Sequence, residues 1–192
     1  MVVTLDDAVA KRMKTMRLHG IDRDVWDRYT SAAASWAYQV VEPGYKYNMP
    51  DILAAIGVEQ LKKAERFLSE RASIAEAYDK AFSGRKGLIL PPRGAGHAWH
   101  LYSLGLDPSE AGIDRDAFIE RMKGSGVGTS VHFIPLHLMP YWAGRYGLRP
   151  ESFPEATKKF TRTVSLPIFH GMSDTQVGRV LEAALEALSA RA

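Results

Sequence analysis

The stretch Gly44-Tyr45-Lys46-Tyr47-Asn48-Met49-Pro50-Asp51 joins a loop rich in small residues to the longest helical pattern in the chain. Pro50 is typical of a first helical turn, so a helix is predicted to begin here. A helix N-terminus offers unpaired N–H groups and a partial positive charge. Lys46 and Asn48 would add a cation and an amide donor, which predicts a phosphate-binding corner. The alternative is an ordinary helix start beside tyrosines that pack.

The helical pattern that follows this corner is unusually long. Apolar residues recur every three or four positions from Pro50 to Phe82, with a slippage near Glu59. This spacing predicts one helix that covers residues 51–84 and ends at Ser83-Gly84. A helix of this length either links two domains or bends.

The part of the chain after this helix alternates between strand and helix patterns. It predicts a two-layer α/β unit, a small sheet with helices on one face. Pro167 is expected in an edge strand. The predicted strands cover residues 98–106, 127–133 and 164–169, and the predicted helices cover residues 115–123, 154–163 and 174–189.

The part of the chain before the corner is less regular. Residues 1–5 are predicted to form a strand, and Asp6 is a good N-cap for a helix over residues 6–18. Gly20 is the predicted C-cap. Residues 21–44 are too aromatic for a disordered linker, so we predict an ordered loop that packs against another surface.

Composition excludes several classes of protein. The 192 residues include no cysteine, which excludes disulfides and thiolate metal sites and fits a reducing cytoplasm. The formal charge of +3 comes from interspersed residues, so no nucleic-acid partner is predicted. No signal peptide and no apolar run of the ~20 residues that span a bilayer is present, and no membrane partner is expected. We predict a soluble cytoplasmic protein.

The six histidines of the chain are candidate metal ligands or site residues. His97 and His100, three apart on a strand, would point to opposite faces. His132 and His137 are separated by Pro135, with no carboxylate beside them. No metal site is therefore predicted. His132, however, ends a predicted strand before a long loop, which is where sites are usually built.

Five stretches carry a resemblance to one family, in the same order along the chain. Together they resemble the C-terminal half of the DegT/StrS-type aminotransferases, the pyridoxal-phosphate enzymes of nucleotide-sugar biosynthesis. The resemblance covers nearly the whole chain. The stretches are Met16-Arg17-Leu18-His19-Gly20, Gly44-Tyr45-Lys46-Tyr47-Asn48-Met49 with Asp51-Ile52, His97-Ala98-Trp99-His100-Leu101-Tyr102, residues 128–137, and Ser165-Leu166-Pro167-Ile168-Phe169.

The resemblance implies a fold and a division of the chain. The fold class is α/β: the small C-terminal domain of a type I aminotransferase fold plus a remnant of the large domain. Residues 1–50 would be that remnant of the large cofactor-binding domain. Residues 51–84 would be the long linking helix, and residues 85–192 the small α/β domain.

The resemblance also implies a reaction and its residues. Asn48, Lys46 and Tyr45 would reach the phosphate of pyridoxal 5'-phosphate bound to the neighbouring subunit of a homodimer. His132, Phe133 and His137 would line the sugar-substrate side. The implied reaction transfers an amino group, with glutamate as the expected donor, to a nucleotide-linked keto-sugar used in sugar or cell-surface polysaccharide biosynthesis.

One departure from the family limits this expectation. The family's Schiff-base lysine lies upstream of the first predicted strand, and no lysine here stands in that motif. We therefore expect no catalytic lysine in this chain, and no transamination by it alone. The alternatives are a non-catalytic dimerisation or regulatory module derived from the same fold and, more distantly, a metal-dependent hydrolase that uses His132 and His137.

Overall fold

The computed structural model describes residues 2–22 and 38–189. The chain divides into two compact units, Met1–Lys62 and Lys63–Ala192. Most of the aromatic loop predicted over residues 21–44 lies outside the described residues. None of the described helices is both long enough and apolar enough to cross a membrane.

The first unit begins with a capped helix. Helix α1 covers Asp7–Met16, and the Asp6 carboxylate accepts the N–H groups of Ala8 at 2.8 Å and Val9 at 3.1 Å. The predicted N-cap is therefore confirmed. The strand predicted over residues 1–5 is wrong for residues 2–5, which form no strand and leave Leu5 fully exposed. A strand needs a hydrogen-bonded neighbour, and the described part of this unit places none beside them.

The residues after α1 pair with the stretch that ends at the corner. Tyr45 N–H donates to the Met16 carbonyl at 2.7 Å, and His19 N–H donates to the Tyr45 carbonyl at 2.9 Å. Tyr47 N–H donates to the Arg17 carbonyl at 2.8 Å. These bonds hold residues 45–47 extended against the end of α1. They fix the direction in which the chain enters the next helix.

Two glycines allow this close approach of the backbones. A Cβ atom on Gly44 would lie 1.9 Å from the Gly20 nitrogen, and one on Gly20 would lie 1.7 Å from the Glu42 carbonyl oxygen. Gly20 also has a φ of +71°, which favours glycine. Gly20 thus lies past the helix end as predicted, but the C-cap itself is Arg17. The main contribution of Gly20 is to let the backbone after α1 pass in close contact with residues 42–44, and we refer to this contact as the crossing.

The long helix predicted over residues 51–84 is two helices. Helix α2 covers Asp51–Leu61 and helix α3 covers Ala64–Phe82, with Lys62 and Lys63 between them. The two differ in burial: α2 has no buried residue, whereas α3 buries Ile74, Ala75, Tyr78 and Phe82. The break follows the slippage in the apolar pattern near Glu59. The predicted functional division at residues 50 and 84 remains a prediction.

The second unit is built on a three-stranded antiparallel sheet. Its strands are β1 (Leu88–Ile89), β2 (Tyr102–Leu106) and β3 (Thr163–Leu166), in the order β1-β2-β3. Leu88 pairs with Leu106, and Tyr102 pairs with Leu166. The edge position predicted for the strand near Pro167 is confirmed. Sequence reasoning missed β1, which has only two residues and therefore no readable alternation.

Three helices cover one face of this sheet and form the core. They are α3, α5 (Arg115–Gly124) and α8 (Asp174–Ser189). Each contributes an apolar stripe to the layer beneath β2 and β3, as helices on a sheet are expected to do. The fully buried side chains of this layer include Tyr78, Phe82, Tyr102, Leu104, Leu106, Phe118, Met122 and Val164.

Two tyrosines carry polar atoms into this core, and both are hydrogen-bonded. Tyr78 donates to the Pro167 carbonyl at 2.7 Å, and Tyr102 donates to the Asp79 carboxylate at 2.6 Å. Arg93 Nε donates a hydrogen bond to the other carboxylate oxygen of Asp79 at 2.5 Å. Burial raises the pKa of both phenols above their usual range, so they remain donors.

The remaining elements correct two expectations. Residues 127–133 are not a strand, since only Ser130 pairs with Ser165 in an isolated antiparallel bridge beside β3. The predicted helix near 154–163 is α7 (Pro154–Arg162), but it lies over the sheet face opposite the core. The unit is completed by α4 (Pro108–Ala111), α6 (Pro140–Tyr146) and short 3-10 turns at Leu136–Leu138 and Pro150–Ser152.

We predict that Gly44→Ala loosens the crossing in the first unit. The added methyl cannot fit 1.9 Å from the Gly20 nitrogen, so the segments must separate at a cost of about 1–3 kcal/mol. Hydrogen exchange at the Tyr45 and Tyr47 amides should therefore accelerate by about 5- to 150-fold.

Gly57→Ala is the matched control for this substitution. Apart from the chain neighbours and the backbone of α2 itself, no atom lies within 4 Å of a Cβ built on Gly57, so alanine should stabilise that helix by about 0.5–1 kcal/mol. Exchange at Tyr45 and Tyr47 should stay unchanged. Equal exchange rates in the Gly44→Ala chain and the unaltered chain would contradict the crossing.

Candidate functional site

The predicted phosphate-binding corner is open to solvent in the first unit. Lys46 and Asn48 are both exposed, and Tyr45 is 54% exposed. The rings of Tyr45 and Tyr47 stack with centroids 5.0 Å apart and planes only 2° from parallel. Because side chains alternate along an extended segment, Lys46 and Asn48 share the other side. Alternation along this segment therefore groups Lys46 with Asn48 on one side and Tyr45 with Tyr47 on the other.

The helix start beside these residues lacks a side-chain cap. Pro50 is the N-cap of α2 and makes no capping hydrogen bond. The first N–H groups of α2 are thus available to an external acceptor. A cation, an amide and a free helix N-terminus fit a phosphate group, whereas Asp51 in the first turn opposes it. The corner therefore suits a phosphate that approaches from the side of Lys46 and Asn48.

The second predicted site, around His132, lies in the second unit. The His132 Nδ1 atom is 3.0 Å from the hydroxyl oxygen of Ser165, a residue of β3 that is 5% exposed. Backbone hydrogen bonds between Ser130 and Ser165 hold the segment that leads to His132 against β3. Phe133 is 76% exposed and meets the His132 ring edge-on, with centroids 4.9 Å apart. A buried serine thus holds the imidazole, and an apolar ring beside it faces solvent.

His132 lies between two cavities. The first, of ≈ 200 Å³, is lined with His100, Thr129 and Ser165 among others. The second, of ≈ 320 Å³, lies against Phe133, Ser103 and Phe160. The Thr129 hydroxyl oxygen is buried and has no hydrogen-bond partner in the described part of the chain. Buried polar atoms are normally satisfied, so the Thr129 hydroxyl has hydrogen-bonding capacity that the described residues leave unused.

His137 has a different environment from His132 and Phe133, with which the resemblance groups it on the predicted sugar-substrate side. It is 6% exposed, and its Nε2 atom is 2.8 Å from the Thr157 hydroxyl oxygen. Thr157 gives its single proton to the Pro150 carbonyl at 2.9 Å, so His137 must donate from Nε2. The imidazole therefore joins the turn at Leu136–Leu138 to α7. It does not line either cavity beside His132.

Sequence reasoning missed three hydroxyl residues of this site, Thr129, Thr157 and Ser165. Thr129 and Ser165 lay within stretches that carried the family resemblance, but no rule of spacing pairs them with His132.

For the metal alternative, no cluster of three or more His, Cys, Asp or Glu in residues 2–22 and 38–189 is placed to hold an ion. His97 is engaged locally, since its Nδ1 accepts the Trp99 N–H at 3.0 Å.

Comparison with known proteins identifies the family. The profile of the DegT/DnrJ/EryC1/StrS aminotransferase family matches residues 1–185. The chain belongs to this family. The resemblance inferred from five short stretches is therefore confirmed. Pyridoxal 5'-phosphate is the cofactor on which this family depends.

Two curated relatives align with almost the whole chain. The chain is 45% identical over 191 residues to the uncharacterized protein MJ1066 of Methanocaldococcus jannaschii, covering 98% of this chain and 49% of that protein. It is 42% identical over 186 residues to the spore coat polysaccharide biosynthesis protein SpsC of Bacillus subtilis, covering 95% of this chain and 48% of SpsC. The chain thus spans about half the length of these relatives.

Solved structures confirm the fold class. The putative sugar aminotransferase Spr1654 from Streptococcus pneumoniae, in its PMP form, superimposes with a TM-score of 0.81 at 27% identity. That match covers 95% of this chain and 45% of Spr1654. Helicobacter pylori PseC gives a TM-score of 0.83 at 21% identity, covering 97% of this chain and 47% of PseC. The chain has the α/β fold of part of a type I aminotransferase.

We predict that Thr157→Val destabilises the second unit through His137. Valine keeps the shape but removes both the acceptor for Nε2–H and the donor to the Pro150 carbonyl. A buried donor left unsatisfied costs about 1–3 kcal/mol, which urea denaturation followed by circular dichroism measures. Thr157→Ser retains the hydroxyl and should keep most of the free energy of unfolding. Equal losses in both variants would contradict the proposed hydrogen-bond pair.

Proposed function

We propose that this chain is the C-terminal part of a pyridoxal-phosphate-dependent aminotransferase. It acts on a nucleotide-linked keto-sugar, with glutamate as amino donor, in sugar or cell-surface polysaccharide biosynthesis. Family membership supports the reaction, and the name of SpsC supports the polysaccharide setting. The observation that carries the proposal is the open corner at residues 44–51. In it, Lys46 and Asn48 share one side beside an uncapped helix N-terminus.

The corner would bind the phosphate of the cofactor. Lys46 supplies a positive charge, Asn48 supplies amide N–H donors, and the first turn of α2 supplies backbone N–H groups. Tyr45 would contribute from the opposite side, through its stack with Tyr47. When bound, the cofactor supplies the electron sink for amino transfer. The contribution of this chain is to anchor and orient it.

The corner would serve the neighbouring subunit of a homodimer. Tyr45, Tyr47, Met49 and Ile52 are each more than half exposed in the first unit. Helix α2 is apolar around its circumference and has no buried residue. A helix that is hydrophobic all round normally lies inside a larger assembly. A dimer in which residues 1–50 belong to the large domain would cover this surface and bring the corner to a cofactor.

The His132 region would meet the sugar substrate. The exposed ring of Phe133 offers an apolar face, and His132 is held beside it by Ser165. Thr129 lines the cavity on the other side of His132, and its buried hydroxyl would need a small local movement to bond to a sugar hydroxyl. His137 would act through the loop that it anchors to Thr157. In this division residues 51–84 connect the corner to the small domain of residues 85–192.

The reaction further requires a lysine that this chain does not supply. We propose that the Schiff-base lysine belongs to the part of the protein that the relatives possess and this chain does not span. The chain alone is then inactive. Incubation with the cofactor followed by borohydride reduction should leave none of its lysines modified at stoichiometric level, as peptide mass spectrometry would show.

A chimera tests the proposed function. The part of MJ1066 outside the matched region is fused to this chain, because the two proteins are 45% identical over the matched residues. The purified chimera should retain bound pyridoxal phosphate and convert glutamate to 2-oxoglutarate when a uridine- or thymidine-linked keto-sugar is present. Intact MJ1066 is the matched control for substrate choice.

Three results of this test are informative. Transfer to free keto-sugars but not to nucleotide-linked ones would overturn the substrate class. A folded chimera that forms dimers but holds no cofactor would support the dimerisation or regulatory module instead. Metal-dependent hydrolysis without amino transfer would support the hydrolase alternative.

Lys46→Gln and Asn48→Ala in the chimera test the corner itself. Each removes one phosphate contact worth about 1.5–3 kcal/mol, so retention of the cofactor should fall about 10- to 100-fold. Equilibrium dialysis followed by cofactor absorbance measures this loss. Lys11→Gln, on the exposed surface of α1, is the charge-matched control and should leave retention unchanged. Unchanged retention in both corner variants would contradict the phosphate role.

A further inference from the structure

A third cavity, of ≈ 530 Å³, lies on the outer face of the sheet in the second unit. Its volume is within the range of small-molecule sites, about 300–1,000 Å³. Its floor is the sheet, one wall is α7, and the other wall is β1 with the prolines that follow it. Ser103, Lys159 and Thr163 also line the cavity beside Phe133, so the two cavities adjoin. The corner residues and His132, Phe133 and His137 do not line the third cavity.

The alternation of β2 produces the floor of this cavity. Leu104 and Leu106 are fully buried in the core, so Ser103 and Gly105 face the other side of the sheet. A Cβ atom on Gly105 would lie 3.0 Å from the Ile89 Cβ. Because glycine has no side chain, nothing projects from the sheet into the cavity at this position. Thr163 of β3 completes a floor of small residues. The cavity is therefore open because its floor lacks large side chains.

One cation of the cavity wall is fixed by an ion pair. Arg162 Nη1 lies 2.6 Å from the Asp107 carboxylate. The same carboxylate accepts the Ser109 hydroxyl at 2.6 Å and the Ser109 N–H at 3.1 Å. The hydrogen bonds from Ser109, followed by Arg162, lower the pKa of Asp107, so it stays ionised near neutral pH. Arg162 is held in place with further N–H donors left for a ligand.

Two more cations on α7 complete the wall. Lys158 and Lys159 line the cavity and form no ion pair with any described residue. The acidic residues of the lining are Asp107, which is paired, and Glu155. The opposite wall is apolar, with Ile89, Leu90, Pro91 and Pro92. The cavity thus presents a positive wall and an apolar wall across a polar floor.

We propose that this cavity binds a small organic anion, specifically a phosphate monoester of an apolar alcohol. The phosphate would lie against Lys158, Lys159 and the free N–H groups of Arg162, where charge-assisted bonds are strongest. The apolar body would lie against Ile89 and the two prolines. This site goes beyond the proposed function because Lys158, Arg162 and the two prolines lie outside the corner and outside the cavity that His132 and Phe133 line.

Calorimetric titration of the full chain with phenyl phosphate tests the proposal. Phenyl phosphate should bind saturably at one site, and more tightly than either inorganic phosphate or phenol alone. The double variant Lys158→Gln/Lys159→Gln should weaken this binding by about tenfold or more, since it removes both unpaired ammonium groups. Lys80→Gln/Lys123→Gln, on exposed positions elsewhere in the unit, should change the affinity less than twofold.

A second pair of variants tests the opposite wall without altering the lysines. Ile89 is 56% exposed, so both replacements should leave the fold intact, which circular dichroism verifies. Ile89→Glu places a carboxylate opposite the lysines and should weaken phenyl phosphate binding severalfold more than Ile89→Gln. Equal affinities of the Ile89→Glu and Ile89→Gln variants for phenyl phosphate would show that the anion does not bind in this cavity.

The Lys46→Gln variant distinguishes binding in this cavity from binding at the corner. Phenyl phosphate binding should persist in Lys46→Gln, which removes the cation of the corner. Loss of binding there, with no change in the Lys158→Gln/Lys159→Gln variant, would place the anion at the corner and overturn this inference while leaving the proposed function intact. Absence of saturable binding to the folded chain would overturn it outright.

Discussion

Antiparallel pairing between β2 and β3 is the constraint on which the second unit depends. The register that sets Tyr102 against Leu166 turns one side of both strands toward α3, α5 and α8. The same alternation leaves Ser103 and Gly105 on the outer side, where no large side chain fills the space. Beside β3, the bridge between Ser130 and Ser165 brings the His132 loop to the sheet. One pairing therefore determines both the core and the surfaces available for ligands.

The sequence predicted those elements whose local signals agree with their packing. Helix α8 covers Asp174–Ser189 as expected, and Ser173 and Gln176 form a capping box at its start, with bonds of 2.9 and 3.2 Å. The strand expected over residues 98–106 is shorter because Trp99 has a φ of +47°, which interrupts extended backbone. The periodicity of residues 51–84 concealed the break at Lys62 and Lys63, since two consecutive helices with a small phase shift resemble one.

The candidate site was predictable where it depends on neighbours in sequence. Lys46 and Asn48 are two apart, and extended backbone places them on one side. The histidines required contacts that the sequence does not display. His137 is paired with Thr157, 20 residues later, and His132 with Ser165, 33 residues later. Which histidine faces a cavity and which is buried therefore follows from tertiary packing. The family resemblance named both residues but could not assign them different environments.

The uniform exposure of α2 has a consequence for how its sequence can vary. Ile52, Leu53, Ile56, Val58 and Leu61 are each more than half exposed, so the fold of the first unit does not select for apolar side chains there. A saturation-mutagenesis map of this chain in isolation would show α2 as tolerant, or even improved by charged residues. In the proposed homodimer, the same map should show α2 as restrictive. The contrast between the two maps would trace the footprint of whatever covers this helix.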